Sequence, residues 1–298
     1  VDDQRPLVSL LVDVDAREVL VKGRQEDFPT PFDTLVDAVV RITGVSGTVR
    51  NTRGEFLRPA FWVTQPEDIA IVTLAPTSVF EAPLRKLESL ADYRSGNRLA
   101  HRVRTRGVVT FSLPGQMLYL QQGLTGIRVA TTDPQRFAEG DLIEASGFIT
   151  MDRQIAGLTQ AAVQRLGSGP PLQATAIGVE EIREINIFAR ARGQIAEPSD
   201  YDGCLITCNG LLAEVRPLQK AGPPELIVTA DSRVLSVVCA GVTASQAQRL
   251  AELQPGSQLK LTGILELGLQ SQPVGQALTA YPLIQNTRLL IRSVDDIV

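Results

Sequence analysis

Aromatic side chains are scarce in this 298-residue chain, 5% in all with a single tryptophan, and it holds one histidine and three cysteines. Each shortage narrows the function. A platform that stacks bases or sugars needs several aromatics along one groove, and the only tryptophan, Trp62, falls in an expected late strand of its module. The lone histidine, His101, stands beside a basic strand and reads as structural or solvated. Paired short Cys or His spacings of a zinc site are absent, so no metal or other cofactor is expected. Cys204 and Cys208 are four apart on an expected strand, which puts them on one face but roughly 13 Å apart, too far to bridge each other. Buried free thiols are the first reading, with one bridge to Cys239 as the alternative in an oxidising compartment. No apolar run approaches the roughly 20 residues that cross a bilayer. The net charge of −4 argues against the basic face that a phosphate backbone requires, so nucleic acid is not an expected partner. Nucleophile-elbow, phosphate-cradling and H-E-x-x-H patterns are missing too, and no enzyme activity is expected.

What the chain does have is one segment written three times: Asp37-Ala-Val-Val-Arg-Ile-Thr-Gly44, Gly140-Asp-Leu-Ile-Glu-Ala-Ser-Gly147 and Gly256-Ser-Gln-Leu-Lys-Leu-Thr-Gly263. Repetition at this spacing marks an array of small modules. Strand-like hairpins precede each copy. Leu7 to Val14 with Arg17 to Gly23 matches Glu225 to Asp231 with Arg233 to Gly241, and Met117 to Val129 holds the same place in the middle copy. The ends agree as well, Gln65-Pro-Glu-Asp-Ile69 with Ser293-Val-Asp-Asp-Ile297.

Short β-branched runs of period two, closed by Gly, Pro and Asp, are half-buried strands. About five fit each unit, with a short helix before the octapeptide strand, clearest from Thr243 to Leu253. The expected fold is therefore mainly β: tandem OB-fold-like Greek-key barrels with short helices between strands, another small sandwich or barrel being the alternative. The expected boundaries are an OB-like module over 1–75, a linker with a short helix over 76–100, a central module over 101–170, a second such linker over 171–200 and a C-terminal module over 201–298. Arg102 to Phe111 and Cys204 to Val215 supply first strands to the second and third modules, but the first has none. The pattern suggests that residues were lost or that the chain was cut from a longer protein. The open edge is expected to be covered by another segment, a neighbouring chain or a rearranged sheet.

Chemistry-bearing residues are few. Arg102, Arg104 and Arg106 alternate along a strand and share a face, either a solvated one or an anion platform. Asp68 and Asp296, at equivalent module ends, are expected to tie down the chain rather than react.

The run Arg102-Val-Arg-Thr-Arg-Gly-Val-Val-Thr, with Leu118-Tyr-Leu-Gln-Gln, Thr125-Gly-Ile-Arg-Val129, Glu139 to Phe148 and Ala162 to Pro170, resembles the tandem OB-like extracytoplasmic region of bacterial membrane-bound sensor histidine kinases and related diguanylate cyclases. Pro83 to Leu90 looks like the linker before that module, and the third module resembles its partner. The resemblance implies a sensory input region of a two-component receptor, periplasmic and part of an inner-membrane protein, joined to the membrane by segments outside this chain. It implies an unknown small ligand or periplasmic protein as partner, and a homodimer is possible. These 298 residues contain neither a phosphoacceptor motif nor ATP-binding glycine boxes. The turn Gln122-Gly-Leu-Thr-Gly126 departs from the family pattern, which more often has an acidic residue after the glutamine and two glycines after the threonine. OB-like barrels bind on strands two and three with the neighbouring loops, which selects Arg104, Arg106, Tyr119, Gln121, Arg128 and Arg153. Tyr119 and Gln121 alternate with Leu118 and Leu120, and the leucines are expected to face the core. Two other readings remain: an oligosaccharide- or nucleic-acid-binding OB protein, and a structural spacer or dimerisation module.

Overall fold

Alternating apolar residues at the start of the chain fold into a hairpin, β1 (Leu7–Val14) and β2 (Arg17–Arg24), in full antiparallel register from Leu7 opposite Arg24 to Val14 opposite Arg17. The computed structural model describes residues 7–15, 17–50, 52, 54–91, 101–152, 155–182, 201–216, 223–230, 233–267 and 287–298. After a short 3-10 turn at Phe32–Leu35 come β3 (Val39–Ile42), β4 (Val45–Arg50), β5 (Phe56–Trp62) and β6 (Ile69–Thr73). The sheet order is β1-β2-β5-β4, with β2 parallel to β5, and β3 pairs separately with β6. Val21, Phe28, Leu35, Val63 and Ile69 form the small core.

A second unit contains everything from Thr105 onward and a short helix, α1 (Leu87–Ala91), whose Leu87 and Leu90 are buried. Its central barrel is β7 (Val103–Leu113), β8 (Met117–Gln122), β9 (Thr125–Ala130), β10 (Asp141–Asp152) and β11 (Ile155–Ser168), closed in the order β10-β11-β9-β8-β7. A two-residue strand, β12 (Thr175–Ala176), leads into the C-terminal barrel by pairing parallel to β13 (Leu205–Arg216). There follow β14 (Glu225–Ala230), β15 (Arg233–Val238), α2 (Ala244–Ala251), β16 (Gln258–Glu266) and β17 (Arg288–Leu290). Its first strand pairs with the second, the second with the third, the third runs parallel to the fifth, the fifth pairs with the fourth, and the fourth returns to the first. That is the Greek-key closure of an OB-like barrel, and the chain is mainly β with OB-like barrels as its repeating form.

The octapeptide repeats because this closure makes the same two demands each time. Its first residue sits in the left-handed region, at φ 68° in Asp37, 86° in Gly140 and 89° in Gly256, which Gly and Asp tolerate best. Its last residue crosses the fifth strand at close range. A Cβ would lie 2.4 Å from the Trp62 carbonyl oxygen at Gly44, 2.9 Å from that of Thr159 at Gly147, and 2.5 Å from that of Leu290 at Gly263. Only a residue without a side chain passes there.

Two expectations change. The helix before the octapeptide strand is present as α2, capped by Thr243 whose hydroxyl accepts from the Gln246 amide, and shrinks to a 3-10 turn in the first module. In the central barrel the described residues between β9 and β10 form a loop instead, because Pro134 interrupts it and Asp133 and Asp141 take up its amides at Gln135 and Ala138.

Candidate binding faces

The selected residues of the central barrel do not converge on an open groove. Tyr119 and Gln121 are only 2% and 1% exposed, although Leu118 and Leu120 are buried as well. Both faces of β8 are covered: the leucines fill the barrel, and the outer face packs under the C-terminal barrel. The expectation that Tyr119 and Gln121 lie on an exposed binding face is thus corrected. A cue was present in β8 itself, where Met117 to Gln122 carries no charge on either face, as suits a strand buried on both sides.

The joint between these barrels combines an apolar cluster with directed polar contacts. Phe111, Tyr119, Leu205, Ile264 and Leu290 pack together, the two rings tilted at 56° with centroids 6.2 Å apart. The Tyr119 hydroxyl donates to Glu266 Oε1, and Arg288 Nε donates to the other oxygen of the same carboxylate. Burial, together with the neighbouring Glu266 charge, raises the Tyr119 hydroxyl far above its ordinary range. Gln121 Oε1 accepts from the Leu205 amide at 2.8 Å, and the Cys204 thiol donates to the Leu124 carbonyl at 3.1 Å. A Cβ at Gly126 would lie 2.1 Å from the Gly203 carbonyl oxygen, so this turn is a docking point between barrels. Asp202 completes the joint: its Oδ1 accepts from the Leu267 amide at 2.7 Å. Burial pushes its carboxyl up to about 7 against that hydrogen bond, with Glu266 adding to the rise.

The arginines scatter. Arg104 Nε donates to the Ala82 carbonyl at 2.8 Å, Arg106 pairs with buried Glu144 at 2.9 Å, and Arg128 lies half-buried opposite Tyr119 on β9. Arg102 donates its backbone amide to Asp37 at 3.3 Å, beside a 2.9 Å contact from His101 Nδ1 to the same oxygen. A common anion platform over Arg102, Arg104 and Arg106 is therefore not formed. Arg153 lies outside the described residues. Asp68 and Asp296 do tie down equivalent ends: Asp68 accepts from the Thr64 amide at 2.9 Å and Asp296 from the Arg292 amide at 3.2 Å. Cys204, Cys208 and Cys239 are buried free thiols whose pKa values burial raises to about 12, 11 and 12.

The open face is in the N-terminal module, where sequence reasoning selected nothing. Arg58 and Trp62 lie on one side of β5, while a bulge opposite Val49 and Arg50 turns Phe56 to the other; Trp62 is 40% exposed. Lys22, opposite Trp62 in the β2–β5 ladder, holds its ammonium 5.6 Å from the centre of the indole. One exposed ring with two cations beside it offers stacking and charge together. The low aromatic content hid this face because it is built on the one tryptophan.

No family model and no curated protein matches this chain. Solved structures similar to it include a murine DNA-binding protein bound to double-stranded DNA, at 8% identity and TM-score 0.30, covering 63% of this chain and 92% of that one. The HINa domain of Ifi202 with a 20-base-pair DNA matches at 13% identity and TM-score 0.24, covering 55% and 85%. The HINb domain of p204 matches at 15% identity and TM-score 0.26, covering 62% and 90%. Scores of this size establish no shared function. The expectation that nucleic acid is no partner is corrected to leave that partner open, DNA complexes being among the chains that this one is similar to. Among the described residues no helix is long and apolar enough to cross a membrane.

Proposed function

We propose that this chain is a binding region of OB-like barrels that serves as the extracytoplasmic input region of a bacterial membrane-bound signalling receptor, with the N-terminal module as its ligand-facing part. The observation that carries this reading is the contrast in accessibility. The outer face of the central barrel's second strand is spent on packing against the C-terminal barrel, whereas Trp62 is exposed on the N-terminal module with the half-buried Lys22 over its ring and Arg58 on the same side. Ligands suited to such a face present flat or ring-shaped surfaces and acceptor groups, as sugars and peptides do. The family resemblance of the central and third modules supplies the signalling context.

A second reading, a nucleic-acid-binding OB protein, is favoured by the same Trp62–Lys22 pair with Arg58 beside it, because ring stacking plus cations is the chemistry of strand-binding OB folds. Trp62 is the only tryptophan, so its fluorescence reports this face without labelling. Titration with oligosaccharides, peptides and single- and double-stranded oligonucleotides separates the readings. A saturable change with sugars or peptides that is lost in Lys22→Ala supports the input region. A change confined to oligonucleotides, weakening steeply with salt, transfers the conclusion to the second reading. No change with any class removes this face as the binding site.

A further inference from the structure

The face that carries Trp62 has a covered counterpart in the same chain. In the C-terminal barrel Ile264 on β16 lies opposite Leu290 on β17, and Leu290 pairs on its parallel side with Val238. The N-terminal ladders repeat this register: Val45 lies opposite Trp62, and Trp62 pairs with Lys22. Val45, Trp62 and Lys22 therefore hold the places of Ile264, Leu290 and Val238. Ile264 and Leu290 are removed from water because they grip the outer face of β8 in the central barrel, with Val238 packed against them. Val45 is 67% exposed, and Trp62 stands open beside it.

The gripped strand has a counterpart too. In the central barrel Phe148, directly after the octapeptide glycine, lies opposite Thr159, and the residue before that, Leu158, pairs with Val129. The same steps in the N-terminal module run from Val45 to Trp62 and from Phe61 to Val21. Arg128 and Leu20 then correspond, and so do their hairpin partners, Tyr119 and Leu11. Leu11 alternates with Leu10 and Val12, which pack against the core, so it points outward. It is 56% exposed, where Tyr119 is covered. One sheet face thus presents both halves of a joint that the other two modules form with each other.

The residues that differ suit a joint made without charge. Where Tyr119 meets Glu266 and Arg288, the N-terminal module has Leu11, Gly47 and Ala60, since Gly47 lies opposite Ala60 as Glu266 lies opposite Arg288. Docking here removes apolar surface from water and strands no buried carboxylate. The two halves stand on the same face of one sheet, in the order β1-β2-β5-β4, so a module cannot dock them on itself. A second copy, turned about a two-fold axis along the strands between β2 and β5, lays β1 of each over β4 and β5 of the other. That contact is made twice and closes, as two sheets pack in a sandwich.

We propose that the N-terminal modules of two copies of this chain pair through this face, Leu11 of each packing against Val45, Gly47 and Trp62 of the other. The inference rests on the reading of the Trp62 face as the binding surface of the input region and names a partner for it. A small ligand that stacks on Trp62 then binds the unpaired form alone, and that difference in affinity shifts the receptor between two arrangements.

The test uses the 298-residue chain, its mass followed by light scattering over a dilution series and the cover of the face by the emission of Trp62. A mass that doubles with concentration, together with a blue shift of that emission, is expected. Leu11→Lys and Val45→Glu, both at exposed positions, should each raise the dissociation constant about ten-fold or more. Adding Gly47→Glu to Leu11→Lys should restore pairing at low salt. A Cβ at Gly47 meets only the Trp62 ring, at 3.6 Å, so the glutamate fits. The new charges meet only between copies, because within one copy they lie three strands, about 14 Å, apart. A chain that stays monomeric up to about 0.5 mM overturns the proposal. So does a dimer that neither single variant weakens, or a double variant that pairs no better than Leu11→Lys. The ligand reading is judged separately: a monomer whose Trp62 still responds to a sugar or peptide removes the pairing and keeps the ligand face, whereas a dimer that no ligand disturbs keeps the pairing and removes the small ligand.

Discussion

Among the described residues the N-terminal and C-terminal modules share a hairpin, an octapeptide strand and a terminal turn tied down by an aspartate, yet the strand pairings of one close into a ring and those of the other do not. The difference lies in a single strand. Where β13 is present, apolar residues on β14 and β16 are removed from water. Where no described strand takes its place, Leu10, Val12, Val40 and Ile42 are only partly buried although the local sequence is as apolar. Local pattern therefore builds the pieces of this barrel, while burial, and with it most of the stability, depends on the long-range strand that locks second to fourth.

The largest expected effect comes from the crossing point both modules share. Gly263→Val sets a branched side chain against the Leu290 carbonyl oxygen, already 2.5 Å from a bare Cβ, in a strand fixed on both sides by β13 and β17. Its cost is expected to exceed about 4 kcal/mol. Gly44→Val meets the Trp62 carbonyl oxygen at 2.4 Å, but the open β4 can move outward, so the cost should be less than half as large. Urea unfolding of the two variants measures both; equal costs would mean that the N-terminal module is as rigid as the closed one.

Truncating equivalent core positions probes the same contrast more gently. Leu226→Ala removes a fully buried side chain and should cost about 3 kcal/mol. Leu10→Ala, at a half-buried site, should cost about 1 kcal/mol, because less transfer energy is lost and water already reaches the space. Hydrogen exchange resolved by segment assigns each loss to its module, and the comparison fails if Leu10→Ala is the costlier change.

Much of this plan was legible in the chain. The repeats, the hairpins and α2 follow from apolar period, turn residues and self-similarity, because each is set within a few residues. The joint between the central and C-terminal barrels was not. Alternation assigns Tyr119 and Gln121 to the face opposite Leu118 and Leu120, but it does not say what covers that face. The partners of Tyr119 and Gln121 are Glu266 and Leu205, 147 and 84 residues away. The Trp62 face was missed for a related reason: composition counts aromatics over the whole chain, and the lysine over this ring comes from the neighbouring strand, forty residues away.

The last expected difference distinguishes the units by pH. Asp202, buried beside Glu266, titrates near 7 in the folded protein against about 3.9 when unfolded. A raised folded pKa means that the folded state binds more protons between these values. Stability from this group is then full below about pH 4 and is lost as pH rises to about 7. Glu139, also raised by burial despite Arg292, acts in the same direction. In the N-terminal module the sign reverses. Asp68 is lowered, first by the hydrogen bond from the Thr64 amide, so its contribution is present above the unfolded value and lost on acidification. Raising pH from 4 to 7 should therefore weaken hydrogen-exchange protection over β13 and β16, corrected for intrinsic rates, by on the order of 2 kcal/mol, and leave β1–β2 without such a loss. Asp202→Asn should flatten the slope at β13 and β16 alone, since an amide oxygen still accepts from Leu267 but no charge forms against Glu266. A slope that persists in Asp202→Asn would place the titrating group elsewhere in the joint, and an equal slope in β1–β2 would erase the electrostatic difference between the closed and open modules.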